Sequence, residues 1–332
     1  MISGSGSLRF NIYCFQNTNI LFMQTAVEYI RQFPRPDNFD DSEERWNHSF
    51  QNAFVVINGF SSNIYYPEHW TPLSVKCAFN GKEHYRFSNK AYTVSDQSFL
   101  LLNEDNVYAS YIHSETRVES LSLNFTKNNI ETANAAYCGS DETVLDNPLE
   151  LTGGNLNFYD KLNEYTPGFL HCINLFRKQL QQPVVNKMAL SELMYSALGE
   201  LIQIHKLTSS ETDKIDAKKR STRVELYQRL CIAKDYMHSC YSDNISLDGL
   251  ARVSFLNPAY LLREFKKLFG ITPHQYLTVI RLAHAKELVT CTNKPVTEIL
   301  SETGFIDISS FSKLFKRRFG LSPQAYRLFV KK

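Results

Sequence analysis

The sequence predicts a two-domain protein: an N-terminal domain of mainly antiparallel β-structure completed by a helix pair, then an all-α C-terminal domain with tandem helix-turn-helix units. Three observations carry this. Short apolar runs at strand spacing fill residues 53–125, the apolar period lengthens to three and four residues after 158, and residues 257–276 recur in altered form at 307–326. At 332 residues the chain is also long for one core, which stops growing at about 250–300 residues.

Residues 1–22 are poorly patterned, and Met23 stands as a second candidate start. Met23 to Phe33 reads as a helix stopped by Pro34. Strand-like runs follow: AFVVI, LSVKCAF, EHYRF, KAYTV, SFLLLN, VYASYI and RVESLSLNF. Turn signals at Asn80-Gly81 and Ser88-Asn89 separate several of them, so an antiparallel sandwich or barrel is expected. After a loop at Gly153-Gly154, helical stretches run from Phe158 to Gln182 and from Asn186 to Leu207, broken at Pro183. In the second, Leu190, Leu193, Ala197, Leu201 and Ile204 form one apolar stripe, which packs either on its own sheet or on a partner subunit. Residues 208–222 are polar and charged with one large apolar side chain, Ile215, and read as a linker. The expected domains are therefore 1–207 and 223–332.

Beyond the linker the chain repeats itself. NPAYLLREFKKLFGITPHQY aligns with DISSFSKLFKRRFGLSPQAY at a spacing of 50 residues, pairing Phe265 with Phe315, Gly270 with Gly320, Pro273 with Pro323 and Tyr276 with Tyr326. A shorter helical piece precedes each copy, SLDGLARV and PVTEILSE, where the spacing is 49, so the second turn is one residue longer. The two units span 246–269 and 296–319. Asn257, Thr272 and Ser322 each stand before a proline and read as N-caps, while Gly270 and Gly320 end the preceding helices.

Within each second helix the large apolar residues face inward: Leu261, Phe265 and Leu268 in unit one, Phe311, Phe315 and Phe319 in unit two. The opposite faces carry Ala259, Leu262, Arg263 and Lys266, and Ser309, Ser310, Ser312, Lys313 and Lys316. These are the candidate readers of a DNA major groove, which admits a helix and offers guanine to Arg or Lys and thymine methyl groups to apolar side chains. Leu262 either touches such a methyl group or packs. A continuous helix from His274 to Cys291, roughly 27 Å long at 1.5 Å per residue, joins the units. Its length suits placement of the recognition helices about one DNA turn, near 34 Å, apart.

Charge supports the same reading. From Arg223 onward there are 17 Lys and Arg against 9 Asp and Glu, a surplus of +8, while residues 1–222 hold 19 against 25, or −6. The seven cysteines are scattered without a CxxC pair, so neither a disulfide framework nor a zinc site is indicated. No apolar run approaches the roughly 18–20 residues of a membrane span and the start lacks a signal-peptide layout, so a cytoplasmic protein without a membrane partner is expected. Walker, GxSxG and GxGxxG patterns are absent.

From about Leu226 to Val330 the chain resembles the C-terminal domain of the AraC/XylS family of bacterial transcription regulators. The resemblance rests on Arg281, Ala285 and Leu288, then on Gly304, Phe305, Asp307, Phe311, Phe315, Lys316, Phe319, Gly320, Ser322, Pro323, Tyr326 and Arg327. It implies promoter or operator DNA as partner, with Ala259, Leu262 and Arg263, and Ser309, Ser310, Ser312 and Lys313, facing it. It also implies RNA polymerase as a further partner, control of transcription as an activator or a repressor, and a homodimer formed through the helix pair. The N-terminal half is similar in layout to the family's sensor, a cupin-like barrel that would take an unidentified small effector. No catalytic residue, metal or cofactor is expected.

Phe255 stands where the family's first turn often has Gly, Asn257 where Ser is usual, and Leu300 where Ala is normal. A Phe at positive φ would cost about 1–2 kcal/mol, so another turn geometry is expected there. Two rival readings remain. One is a cupin-type enzyme, metal-dependent or metal-independent, with an accessory helical domain, although His48, His69, His84 and His113 lack the HxH spacing of metal cupins. The other keeps the tandem helices as a protein-interaction module.

Overall fold

The computed structural model describes residues 26–33, 53–87, 90–104, 106–138 and 158–330. Strands β1 (Ala26–Ile30), β2 (Ala53–Trp70), β3 (Leu73–Phe79), β4 (Glu83–Phe87), β5 (Lys90–Val94), β6 (Ser98–Leu102), β7 (Val107–Phe125) and β8 (Leu162–Glu164) form one sheet in the order β1-β2-β7-β3-β6-β8, with the β4-β5 hairpin attached to β7. All seven strand-like runs lie in strands. Two of them, VYASYI and RVESLSLNF, merge into the single strand β7, which pairs antiparallel with an equally long β2 through register shifts near Ser61 and Tyr66.

Three expectations for this half are corrected. The sheet is not a closed barrel: among the described residues no pairing joins its ends, β1 and β8. Met23 to Phe33 is not a helix: Ala26–Ile30 is a strand, paired parallel with β2 from Ala26 opposite Ala53, and Met23 lies outside the described residues. Its Val27 is buried against the β2 edge, where ladder hydrogen bonds and burial override a weak helical pattern. Third, the helical stretch from Phe158 begins with the short strand β8, since Pro167 can open a helix but not continue one.

Helix α1 (Lys127–Cys138) has no counterpart among the elements expected from the sequence; Thr126 Oγ1 caps it by accepting from Asn129 N at 3.2 Å. Helices α2 (Pro167–Leu180) and α3 (Lys187–Asp213) are the expected pair, capped by Thr166 and Asn186. The apolar stripe resolves to the first of its two alternatives: Leu190, Ala197 and Leu201 are fully buried in one core with Phe54, Val56, Phe99 and Leu121 of the chain's own sheet. At about 25 cal/mol per Å² of apolar area, each such leucine contributes roughly 2 kcal/mol. Alternate residues of β3, β6 and β7 point the other way, where Ala78, Leu100, Leu102, Tyr108 and Val118 build a second core with Tyr85, Phe87 and Tyr92 of the hairpin.

The expected linker is shorter than 208–222. Helix α3 runs on to Asp213 and α4 (Arg220–Ser239) starts at Arg220, because Thr208 and Thr212 are buried and Thr212 Oγ1 donates to the Thr208 carbonyl at 2.9 Å. Ile215, between them, packs into the helical domain beside Leu226, Tyr227 and Leu230.

The C-terminal domain continues as α5 (Leu247–Val253), α6 (Pro258–Phe269), α7 (Pro273–Cys291), α8 (Val296–Glu302), α9 (Ile308–Phe319) and α10 (Pro323–Val330). Helix α7 serves two cores. Its first half gives Leu277 and Ile280 to unit one, with Leu261 and Phe265, and its second half gives Leu282, Ala285 and Val289 to unit two, with Ile299, Phe311 and Phe315. No helix among the described residues is long and apolar enough to cross a membrane.

Candidate nucleic-acid interface

The two units repeat not only residues but hydrogen bonds. Ser254 Oγ donates to the carbonyls of Leu250 and Ala251 at 2.7 and 3.3 Å, and Thr303 Oγ1 does the same to Ile299 and Leu300 at 2.7 and 3.3 Å. Leu256 N donates to Ala251 O at 2.9 Å, and Phe305 N to Leu300 O at 3.0 Å. The residue between is left-handed in both turns: Phe255 at φ 55, Gly304 at φ 74. The extra residue of the second turn is thereby located at Ile306, 95% exposed, after which Asp307 takes the capping place of Asn257.

Phe255 overturns the expectation of a different turn geometry. It adopts the left-handed conformation with its ring 73% exposed. Arg229 Nη1 donates to its carbonyl at 2.6 Å, and the Leu256 amide closes onto Ala251, so the surrounding bonds hold a conformation that Phe alone disfavours. Leu300, large where the family has a small residue, is accommodated in the unit-two core.

Capping fixes where each recognition helix begins. Asn257 Oδ1 accepts from Ala259 N at 3.0 Å, and Asp307 Oδ2 from Ser310 N at 2.6 Å. Hydrogen bonds from Ser310 hold the Asp307 carboxyl below its usual range, so it remains charged at the helix start, where the dipole favours an anion. Gly270 and Gly320 close the helices in left-handed geometry, at φ 78 and φ 83. Thr272 and Gln275 form a reciprocal capping box at the start of α7, and Ser322 accepts from Ala325 N at 3.4 Å in the corresponding place of unit two.

On this scaffold Ala259, Leu262, Arg263 and Lys266 share the exposed face of α6, and Ser309, Ser310, Lys313 and Lys316 the exposed face of α9, with Ser312 partly buried beside them. Leu262, 39% exposed, stands outside the domain core. The Arg263 guanidinium lies 5.1 Å over the Tyr260 ring and its Nε is 2.8 Å from Glu264 Oε1, which orients it on the helix. Arg317 and Arg318 extend the exposed basic surface at the end of α9.

The joint between the units is built around Arg281 of α7. Its Nε donates to Tyr241 O at 2.7 Å and its Nη2 to Asp243 O at 2.8 Å, in the loop ahead of unit one. The unit-two turn abuts the same loop: a Cβ on Gly304 would stand 2.6 Å from Ser242 O and 2.9 Å from Arg281 Nη2. Arg327 ties α10 back in a parallel manner, donating to Val289 O at 3.2 Å and Lys294 O at 2.6 Å.

A second polar constellation lies inside the N-terminal sheet, and it is not foreseen from the sequence. Lys76 and Glu83 are both buried; Lys76 Nζ donates to Ser122 Oγ at 2.9 Å and lies 4.9 Å over the Tyr108 ring. Burial lowers the Lys76 amine to about 8 and raises the Glu83 carboxyl, against hydrogen bonds from Ser120 and Tyr85 that favour its charged form. Its only signal is a lysine in the mostly apolar run LSVKCAF. The histidines do not converge: His69 packs tilted against Tyr108 with centroids 4.2 Å apart and His84 stacks on Tyr111 at 4.8 Å, while His48 lies outside the described residues. Among the described residues no group of three His, Cys, Asp or Glu is placed to hold a metal ion.

Comparison with known proteins points to the same C-terminal region. Residues 250–328 match the family described as a helix-turn-helix domain. The chain is 35% identical over 102 residues to the probable transcriptional regulator LumQ of Photobacterium leiognathi, covering 31% of this chain and 41% of that protein. It is 33% identical over 95 residues to the lactose operon transcription activator of Staphylococcus xylosus, covering 29% and 34%. Among solved structures, the C-terminal domain of AraT, a response regulator from Geobacillus stearothermophilus, is 32% identical, with 30% of this chain and 84% of that one covered and a TM-score of 0.29. The chain thus spans less than half the length of these curated relatives. Over residues 250–328 this chain carries a helix-turn-helix domain of the AraC type.

Proposed function

We propose that this protein is a sequence-specific DNA-binding transcription regulator that inserts α6 and α9 into successive major-groove segments. The observation that carries the reading is the repeated, capped helix-turn-helix unit with one exposed face per recognition helix, both units being built on the single helix α7. Ala259, Leu262, Arg263 and Lys266 read the first segment and Ser309, Ser310, Ser312, Lys313 and Lys316 the second, with Arg and Lys serving guanine or phosphate and Ser either. The +8 surplus of the C-terminal segment supplies the phosphate-directed attraction.

The chain serves as an activator, as the names of its relatives suggest, and RNA polymerase, which the family resemblance implies, is its further partner. A small effector is read by the N-terminal domain. A homodimer would use exposed apolar side chains such as Leu170, Leu175 and Met188, since the α3 stripe is spent on its own sheet. The proposed N-terminal domain runs to Asp213, where α3 ends, and the C-terminal domain starts at Arg220, where α4 begins, with 214–219 connecting them.

Selection of duplexes from a random library followed by footprinting tests the reading. Protection of two successive major-groove segments per monomer, weakening steeply with salt, is expected; a chain that selects no sequence overturns it.

A further inference from the structure

The N-terminal domain touches the helical domain at the joint between its two reading units. Gln97, in the β5–β6 turn, donates from Nε2 to Glu287 Oε2 of α7 at 3.4 Å. Lys82, in the β3–β4 turn, places Nζ 5.2 Å over the ring of Tyr241, in the loop ahead of unit one. Tyr241 stacks face to face on His284 of α7, with centroids 3.9 Å apart and 10° between planes, and His284 Nδ1 is 3.8 Å from Glu287 Oε2. The same loop supplies the carbonyls that hold Arg281 and the wall against which Gly304 of unit two rests.

These contacts form one connected set. The residues just before Arg281 on α7 belong to the unit-one core and those just after it to the unit-two core, so Arg281 marks the boundary between the two units. Lys82 and Gln97 grip both sides of that boundary, the loop and the helix. The faces of α6 and α9 stay exposed while they do so. The contact therefore leaves each recognition helix open and bears on their mutual placement.

We propose that the β3–β4 and β5–β6 turns, through Lys82 and Gln97, set the angle between the two helix-turn-helix units and thereby the half-site spacing that this chain prefers. The proposal rests on the DNA-reading function above and adds a positioning role for two residues far from the reading faces. A sensor that shifts against the helical domain would change spacing preference without changing any base contact.

The test uses the full chain and its Lys82→Ala/Gln97→Ala variant, with duplexes selected by the wild type. Each is titrated against duplexes carrying both half-sites at the selected spacing, at one base pair more and one fewer, and against single half-sites. The variant is expected to bind single half-sites within about two-fold of wild type while its preference for the selected spacing falls about five-fold or more. Lys82→Arg, which keeps a cation over Tyr241, is expected to retain the wild-type preference. An unchanged spacing preference in the double variant overturns this inference and leaves the DNA-reading function standing. A wild-type chain that selects no duplex overturns both.

Discussion

Phe255 and Gly304 occupy the same left-handed position in the turns of the two units, one as an exposed aromatic at φ 55 and the other as a glycine at φ 74 pressed against Ser242 O. One turn tolerates a side chain because it opens to solvent; the other has no room for one. The two glycine-like positions therefore respond oppositely to substitution. Phe255→Gly relieves the φ penalty and gives up little burial, so the helical domain should gain about 0.5–1 kcal/mol in urea unfolding after the added chain entropy of Gly. Gly304→Ala should lose about 2 kcal/mol or more, from the same conformational penalty plus a backbone clash. Equal effects at the two positions would contradict the described joint.

Arg263→Ala should relax preference at one base position, costing roughly 1–3 kcal/mol on the selected duplex and far less on others. Lys316→Ala, if its partner is a phosphate, weakens all duplexes alike and reduces the slope of log affinity against log salt by about 1. Titrations over a salt series on matched and mismatched duplexes separate the two.

Asp235 makes interdomain packing sensitive to pH. It lies buried on α4, where its Oδ2 accepts from Leu162 N of β8 at 3.1 Å, and burial pushes its carboxyl up to about 7. Lys234, Lys161 and Lys90 face it and favour its charged form, so burial outweighs them. The folded chain holds a proton that the unfolded chain has already released, so this group's contribution to stability is full near pH 4, declines as pH rises towards 7, and is constant above. Between about pH 5.5 and pH 8 the wild type should lose about 2 kcal/mol more than Asp235→Asn, measured by urea midpoints at each pH. Parallel pH profiles for the two proteins would refute the assignment.

Arg177 anchors α2 to the sheet through Glu119, with Nε and Nη2 at 3.0 and 2.7 Å from one carboxylate oxygen, and its guanidinium lies 4.0 Å over Phe79. Glu119 is buried while Arg177 is partly exposed. Arg177→Ala leaves that carboxylate without its cation and should cost about 2–3 kcal/mol, whereas the double change with Glu119→Gln should recover part of it. A double-mutant cycle with no coupling would show the pair to be incidental.

Much of the proposed reading surface is legible in the sequence. Caps and prolines mark helix ends by local hydrogen bonding, and a 3.6-residue period assigns inward Phe265, Phe311 and Phe315 and outward Arg263, Lys313 and Lys316 without knowledge of neighbours. Strand positions are legible from alternation for the same reason. What local pattern misses is whatever depends on a remote partner. Ala26–Ile30 is a strand because β2 offers it a free edge, and residues 208–213 are helical because Thr208 and Thr212 are buried. Lys76 and Glu83 come within electrostatic reach of one another only once β3 and the hairpin are brought together in the sheet.

The sequence by itself determined the repeat, the helix boundaries within it and the two outward faces, because each arises from contacts within a turn or two of chain. Tertiary structure alone decided that Phe255 can take a conformation its side chain disfavours, since the bond from Arg229 crosses 26 positions of sequence. It also decided that no pairing among the described residues joins the ends of the sheet, that the α3 stripe belongs to this chain's own core, and that Lys82 and Gln97 reach the joint at Arg281. Those outcomes hang on free energies of long-range burial and pairing, to which local pattern carries no clue.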